Sequence, residues 1–181
     1  MKKNFIFLVL FLLFLIFSIN TFAQSGEKFF DSYYKNGQMN IYATIGWWWG
    51  ITLSGEVEII MGEWNIADVM PIDWGISGRV IFETWSWFGY SETYLGAAPM
   101  FTMHIGIADI DIDYYASLGI GFAIYSSSDN NYYYYWHKPF EIGFAAASGV
   151  IWYLSKNFGL ILDYAYIGWV SIWGIGIVLK L

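Results

Sequence analysis

Large apolar residues alternate with small or charged residues over the last ten positions of the chain. A period of two places alternate side chains on opposite faces of a β-strand. The pattern therefore predicts a strand whose apolar face runs to the final residue and needs a cover. We interpret that cover as lipid and the strand as the one that closes a membrane barrel. The apolar positions are Trp173, Ile175, Ile177, Leu179 and Leu181.

Segments of strand character recur from Met39 onward and are separated by turn-forming residues. None has the period of a helix, and most reach the length of about 9–11 residues that a tilted strand needs to cross a bilayer. We therefore predict an all-β, eight-stranded, antiparallel, up-and-down transmembrane β-barrel. The predicted segments are 39–48, 51–62, 71–84, 92–107, 110–125, 139–154, 158–167 and 172–181.

The predicted connections alternate between two sides of the barrel. An even number of strands returns the chain to the side on which it began. With a periplasmic start, the connections near 62–70, 108–110 and 155–157 are periplasmic, and 85–91 and 126–138 face outward. Short periplasmic turns and longer outer loops are typical of outer-membrane barrels.

Charged residues within the segments fall on the face opposite the large aliphatic residues. A soluble β-sandwich gives the same alternation, with the charged face toward water. In a barrel in lipid the arrangement is reversed, with polar residues inside and apolar residues outside. A helical membrane protein is a third alternative, because residues 164–179 carry no charge, but that stretch is shorter than the roughly 20 residues required. The residues of the predicted inward face are Glu56, Glu58, Asp73, Arg79, Glu83, His104, Asp111, Asp113, Glu141, Asp163 and Lys180.

The composition supports the membrane interpretation. Charged residues make up 13% of the chain and aromatic residues 23%, whereas about 25% of a soluble domain is charged. Trp and Tyr side chains suit positions that are apolar at one end and wet at the other. The absence of cysteine excludes disulfides, thiolate metal sites and a cysteine nucleophile.

The N-terminus has the features of an export signal. Two lysines precede an unbroken apolar run over residues 5–17, and small residues stand where a signal peptidase cleaves. We expect residues 1–23 to be a signal peptide cleaved after Ala23, with an uncleaved anchor as the alternative. Residues 24–38 are then a periplasmic lead-in and residues 39–181 the barrel domain. Cleavage leaves 8 − 2 = 6 basic and 15 acidic residues, and this net charge of −9 argues against nucleic-acid binding.

Two stretches resemble the small eight-stranded outer-membrane β-barrel family, the OmpX- and opacity-protein-like group. Residues 153–160 resemble the family's last periplasmic turn. The terminal glycines Gly174 and Gly176, followed by Leu179, Lys180 and Leu181, resemble the C-terminal signal read by the barrel-assembly machinery, although the family usually ends on an aromatic residue. The resemblance implies residence in the outer membrane of a diderm bacterium, contact with its lipid and engagement of the assembly machinery during biogenesis.

Arg79 is the single arginine of the chain. Its inward position predicts a structural ion-pair network in the lumen, because an eight-stranded barrel is just wide enough for side chains to fill it and guanidinium groups bind carboxylates in a fork. A gated polar pathway through the lumen is the alternative. The predicted network consists of Arg79, Glu56, Glu58, Glu83 and Asp163.

Two further groups of residues raise the question of chemistry. Some barrels of this kind modify lipid A with a catalytic His and Ser, but the position two residues after His104 is Gly106. We interpret His104 as an interior polar group and His137 as a loop residue. Alternating Asp109, Asp111 and Asp113 are predicted to face inward, as an acidic mouth and not as a calcium site. We expect no cofactor, no metal and no enzymatic activity.

A run of aromatic residues occupies the longest predicted outer loop. Tyr-rich loops form contact surfaces at low entropic cost, so the run is a candidate site for an extracellular ligand, while the alternative is a set of rings at the membrane interface. We predict a monomeric surface protein with a structural or interaction role; the alternatives are a small pore and a lipid A hydrolase. The residues of the run are Tyr132, Tyr133, Tyr134, Tyr135 and Trp136.

Overall fold

A computed structural model of the protein describes residues 30–47, 50–66, 69–87, 90–128 and 139–181. The predicted signal peptide and the aromatic run at 132–136 lie outside these residues. Within them the regular structure is strand, and no helix is long and apolar enough to span a membrane. The strands are β1 (Phe30–Asp31), β2 (Met39–Trp47), β3 (Ile51–Ile66), β4 (Met70–Trp87), β5 (Tyr90–Ile107), β6 (Ile112–Ser127), β7 (Phe140–Ser155), β8 (Phe158–Ile167) and β9 (Val170–Lys180).

Strands β2 to β9 form a closed antiparallel barrel. Each pairs with its neighbours in sequence, and β9 closes the barrel by pairing with β2, from Gly174 opposite Gly46 to Lys180 opposite Asn40. The prediction of an eight-stranded up-and-down barrel closed by the last strand is confirmed. We call the end at which β2 begins and β9 finishes the proximal mouth, and the opposite end the distal mouth.

Strands β3, β4 and β5 are longer than the sequence pattern predicts, whereas β6 and β7 have the predicted 16 residues. Strands β3 to β7 have 16 to 18 residues, and β2, β8 and β9 have 9 to 11. The predicted outer loop at 85–91 is wrong, because β4 and β5 continue their pairing to Trp87 opposite Tyr90. The predicted connection at 62–70 is also mostly strand, since β3 and β4 pair as far as Ile66 opposite Met70.

Pro71 lies inside β4, one residue after the strand begins at Met70. It pairs with Asn65 of β3, while the pairing of β4 with β5 begins only at Asp73 opposite His104. Pro71 therefore has one partner strand, which is the edge-like position that tolerates proline. The two-residue strand β1 pairs with Gly106 and Ile107 of β5. These two residues follow His104, where the pairing of β5 with β4 ends.

The two faces of the barrel wall separate as the alternation predicts. Large apolar side chains point outward and are exposed, with Ile120 and Ile142 each at 68%. The predicted apolar face of the terminal strand is exposed in the same way, with Trp173, Ile175, Ile177, Leu179 and Leu181 pointing outward. The charged side chains buried inside are Glu56, Glu58, Asp73, Arg79, Glu83, Glu92, His104, Asp113, Asp163 and Lys180.

Candidate functional site: the barrel lumen

Arg79 is the centre of a buried cluster halfway along the lumen. Its Nε donates to Oε2 of Glu56 at 2.5 Å, and its Nη1 donates to Oδ2 of Asp163 at 2.8 Å. Nη2 contacts both Glu56 and the hydroxyl of Tyr115, and that hydroxyl also bonds Asp163. The guanidinium thus joins strands on both sides of the lumen, and both of its carboxylates have charge-assisted partners.

A second cluster lies next to it, toward the proximal mouth, and is centred on His104. Its Nε2 is 2.9 Å from Oε1 of Glu58 and its Nδ1 is 2.7 Å from Oδ2 of Asp113. Tyr42 and Asn40 donate to the other oxygen of Glu58. Since His104 is fully buried and a carboxylate oxygen faces each ring nitrogen, both nitrogens are positioned to donate, as in an imidazolium.

The described part of the lead-in segment, residues 30–38, enters the proximal mouth. The Tyr34 hydroxyl donates to Oδ2 of Asp113 at 2.5 Å and lies 2.5 Å from the Tyr153 hydroxyl. The ring of Tyr34 packs on His104, with centroids 4.6 Å apart. Ser32 donates to Asp73 at 2.7 Å. This segment therefore completes the His104 cluster and fills the opening, although its sequence has no strand or helix period.

Lys180 lies among the tyrosines of the same mouth. Its Nζ is 3.5 Å from the ring centroid of Tyr153 and 4.4 Å from that of Tyr34, and it donates to the backbone carbonyl of Tyr33 at 3.1 Å. Cation–π contacts of this kind strengthen as the cation loses water. Burial, with Asp111 and Asp31 nearby, raises the pKa of Tyr33 to about 12, so its hydroxyl keeps the proton that it donates to Ile107.

The distal half of the lumen is apolar. Ile167 of β8 crosses the lumen to β5 and β6, where a Cβ atom at Gly121 would lie 2.8 Å from its Cγ2 and one at Gly96 would lie 3.1 Å from its Cβ. Glycine at these positions makes room for the isoleucine. Gly168 follows with a φ of 60°, and its amide donates to the carbonyl of Phe144 on β7. The buried side chains of this layer are Ile81, Ala98, Ala123, Ala145, Ala165, Ile167, Val170 and Ile172.

A rim of carboxylates and tyrosines lies beyond this apolar layer. Glu92 accepts hydrogen bonds from Tyr94 at 2.9 Å and Tyr125 at 3.1 Å. The Tyr94 and Tyr125 rings pack with centroids 5.0 Å apart, and Glu83 is buried close by in β4. These strand ends lie at the distal mouth, where Glu92 pairs with Ser127, the last residue of β6.

The structure divides the predicted Arg79 network between separate places. Glu56 and Asp163 contact Arg79, whereas Glu58 belongs to the His104 cluster. Glu83 pairs with Thr52, four residues from the end of β4, and lies at the distal rim. Sequence reasoning did not identify the tyrosines of the lumen, although Tyr42, Tyr115 and Tyr153 share the inward parity that marked the charged residues.

The predicted row of inward aspartates is wrong. Asp109 and Asp111 lie exposed in the turn between β5 and β6, where Asp111 has a φ of 52°. Only Asp113 points into the lumen, because β6 and its alternation begin at Ile112. Within the described part of the chain no group of His, Cys, Asp and Glu has an arrangement that could hold a metal ion.

These features define a closed eight-stranded transmembrane-type barrel with an apolar exterior and a filled lumen. Comparison with known proteins gives a fold and no sequence family, since no family model and no curated protein matches the sequence. The crystal structure of Ail, the attachment invasion locus protein of Yersinia pestis, has the same fold: its TM-score is 0.52 at 13% identity, and the match covers 81% of this chain and 100% of that one.

Two other structures of Ail also match this chain. Ail in complex with the heparin analogue sucrose octasulfate gives a TM-score of 0.48 at 12% identity, covering 80% of this chain and 96% of that one. The backbone structure of Ail in a phospholipid bilayer nanodisc gives 0.45 at 12% identity, covering 80% and 99%. Ail is a small eight-stranded outer-membrane β-barrel, and the resemblance predicted from the sequence is confirmed at the level of the fold.

Proposed function

We propose that the protein is an exported, monomeric outer-membrane barrel with a structural or surface-interaction role, and that it is not an enzyme. The observation that carries the proposal is the exterior of the closed barrel. No charged residue occupies the outward positions of β6, which are Tyr114, Ala116, Leu118, Ile120, Phe122, Ile124 and Ser126. An exposed apolar surface that surrounds a whole barrel suits lipid and not water.

The proposed orientation places the proximal mouth in the periplasm and the distal mouth outside the cell. It is supported by the connections: two residues separate β7 from β8 at the proximal end, while β6 and β7 are joined at the distal end by residues 128–139. Short periplasmic turns and longer outer loops are the outer-membrane arrangement. The rim around Glu92 and the predicted aromatic loop would then form the surface available to an extracellular partner.

The interior argues for a plug and against a pore or a hydrolase. Arg79 and His104 are fully enclosed and each contacts two carboxylates. A catalytic histidine needs a free nitrogen within reach of a nucleophile and substrate, whereas both nitrogens of His104 are occupied. The apolar layer around Ile167 lies across the route that ions would take.

The proposed outer-membrane location is tested by cell fractionation, and the proposed contact with lipid is tested by two arginine substitutions on the outer face of β6. The protein should sit in the outer-membrane fraction and shift on a gel after boiling. Ile120→Arg should destabilise the refolded barrel by about 2–4 kcal/mol in bilayers, and Ser126→Arg, near the strand end, by about 0–1 kcal/mol. Equal tolerance of both variants would indicate that water, not lipid, covers the exterior.

The role is tested by two further measurements. A tag inserted between Asn131 and Tyr132 should be detected on intact cells if the distal mouth faces outward. Refolded protein in planar bilayers should show no sustained single-channel conductance, because both halves of the lumen are filled. Sustained conductance would favour the pore, and a changed lipid A mass in cells that express the protein would favour the hydrolase.

A further inference from the structure

A pocket of about 840 Å³ with a mixed polar and apolar lining opens at the proximal mouth. Its walls come from four places: the lead-in segment, the β5–β6 turn, the β7–β8 turn and the end of β9. The pocket shares Lys180 and Tyr153 with the Lys180 cluster and otherwise lies on the periplasm-facing side of the networks described above. Its lining includes Lys35, Asn36, Gln38, Asp111, Leu154, Ser155, Lys156, Asn157, Lys180 and Leu181.

Positive charge is concentrated in this pocket. The chain has 8 Lys and Arg residues against 15 Asp and Glu residues, yet Lys35, Lys156 and Lys180 all line the one pocket. Lys180 is buried and occupied by the tyrosine rings. Lys35 and Lys156 are exposed, and neither forms an ion pair with a carboxylate that the structure describes. Two ammonium groups are therefore available to an anion in a protein that is otherwise acidic.

The pocket also reaches the apolar exterior. Leu154 of β7 and Leu181 after β9 are 51% and 63% exposed, and both stand on the outward face at the proximal edge of the barrel. Asn36, Ser155 and Asn157 also line the pocket and supply amide and hydroxyl groups. A ligand here would meet aliphatic surface at one end and lysines with hydrogen-bond donors at the other.

We propose that this pocket binds the phosphoethanolamine headgroup of a membrane phospholipid. The phosphate would lie between Lys35 and Lys156, and the first carbons of the acyl chains would lie along Leu154 and Leu181. Asp111, exposed in the β5–β6 turn, is the one acidic side chain in the lining and would accept hydrogen bonds from the ethanolamine ammonium. The proposal rests on the proposed outer-membrane location, which puts the periplasmic leaflet at this height.

The lysines, the exposed leucines and Asp111 of the pocket together select the ligand. A free phosphate would use the lysines but leave the exposed leucines and Asp111 without a role. A phosphocholine headgroup carries no N–H and cannot donate to Asp111. A phosphoethanolamine lipid uses all three features, and the outer-membrane setting supplies its acyl chains with a hydrocarbon phase beside the leucines.

The test is lipid binding to the refolded full-length barrel in detergent, measured by native mass spectrometry with dihexanoyl phosphatidylethanolamine. Lys35→Gln/Lys156→Gln should bind about tenfold more weakly, equivalent to about 1.4 kcal/mol, while Lys35→Arg/Lys156→Arg should bind like the wild type. Glu63→Gln, on an exposed residue outside the pocket, is the charge-change control and should have no effect.

Three results would overturn the proposal. Equal binding by the wild type and the double glutamine variant would remove the lysines from the site. Equal binding of dihexanoylglycerol, which lacks the phosphate, would show that the acyl chains alone are recognised. Competition by inorganic phosphate at the same concentration as the lipid would assign the site to a free anion.

Asp111→Asn separates the two charges of the headgroup. It should weaken phosphatidylethanolamine binding about threefold and leave phosphatidylglycerol binding unchanged; no effect on either lipid would overturn the ethanolamine assignment. The boiling shift of each variant is recorded in parallel. Loss of lipid binding by a variant that keeps the shift concerns the pocket, whereas absence of the shift in the wild type contradicts the proposed function.

Discussion

The two halves of the lumen fill the same barrel with different chemistry. The proximal half is built from ion pairs and tyrosine hydroxyls around Arg79 and His104. The distal half is built from isoleucine and alanine side chains with glycine opposite Ile167. The comparison shows that an eight-stranded barrel can be filled either by a polar network or by apolar packing. The first depends on charged residues and tyrosines at inward positions, and the second on isoleucine opposite small residues.

The halves differ in what a substitution removes. In the proximal half each group satisfies another buried group, so the loss of one partner leaves a charge or hydrogen-bonding atom without compensation. In the distal half the contribution scales with apolar volume and fit, so the loss of atoms leaves a cavity. The proximal half should therefore be sensitive to identity and the distal half to size.

The largest effect is expected at Arg79. Arg79→Met leaves Glu56 and Asp163 buried without their cation, and should lower the free energy of unfolding by about 3–5 kcal/mol. The measurement is urea unfolding of the barrel refolded in phospholipid vesicles, together with its resistance to heat in detergent. The triple variant Arg79→Met/Glu56→Gln/Asp163→Asn, which removes the charges together, should recover much of the loss. Unchanged heat resistance of Arg79→Met would contradict a stabilising network.

A smaller effect is expected at Ile167. Ile167→Ala opens a cavity between β8 and the glycines of β5 and β6, and should cost about 2–3 kcal/mol. The control is Ile142→Ala, which removes the same atoms from a side chain that is 68% exposed on the outer face. If the two variants unfold at the same urea concentration, the distal layer does not contribute packing. Conductance in planar bilayers should stay absent in Ile167→Ala, since the Arg79 cluster still fills the lumen below it.

Alternation in the sequence predicted the strands and the two faces of the wall, while the composition and the N-terminal export signal favoured a membrane barrel over a soluble sandwich. Each strand alternates its side chains with a period of two, and lipid and lumen demand opposite polarities. Inward parity therefore identified Arg79, Asp163 and His104 as lumen residues. Strand ends were less predictable, because hairpin pairing continues through polar residues such as those near Trp87.

The partners across the lumen could not be predicted from parity. Glu56 and Glu58 share a strand and a face, but they lie about 7 Å apart along it, which is enough to place them in different clusters. Whether Glu56 or Glu58 contacts Arg79 depends on the register of β3 relative to β4 and β8. That register cannot be read from the alternation of the sequence. Glu83 has the same parity and is farther still along β4, so it lies at the distal rim.

The distal apolar layer and the lead-in segment were missed for another reason. Ile167 and Ile172 have inward parity, but isoleucine also occurs throughout the outward face. The residue type alone therefore does not indicate whether an isoleucine faces the lumen or the lipid. Tyr34 belongs to a segment without period, and its insertion is visible only once Asp113 and Tyr153 are placed at the same mouth. Parity reasoning identifies buried charge well and buried apolar residues poorly in a barrel of this type.

The smallest effect, and the sharpest question about the proximal half, concerns the Tyr34 hydroxyl. Tyr34→Phe keeps the ring on His104 but removes the donor to Asp113, whose other oxygen, Oδ1, has no hydrogen-bond partner among the described residues. The loss should be about 1–2 kcal/mol in the free energy of unfolding. Tyr114→Phe, on a side chain that is 50% exposed on the outer face of β6, is the matched control and should be neutral.

Tyr34→Ala divides the contribution of the ring from that of the hydroxyl. If hydrogen bonds hold the lead-in segment, Tyr34→Phe should already expose it, and limited proteolysis should cleave near residues 30–38 in that variant. If ring packing holds the segment, only Tyr34→Ala should become cleavable. A Tyr34→Phe variant as stable and as protected as the wild type would mean that the proximal half, like the distal half, is maintained by packing, and the contrast between the halves would then be one of composition and not of mechanism.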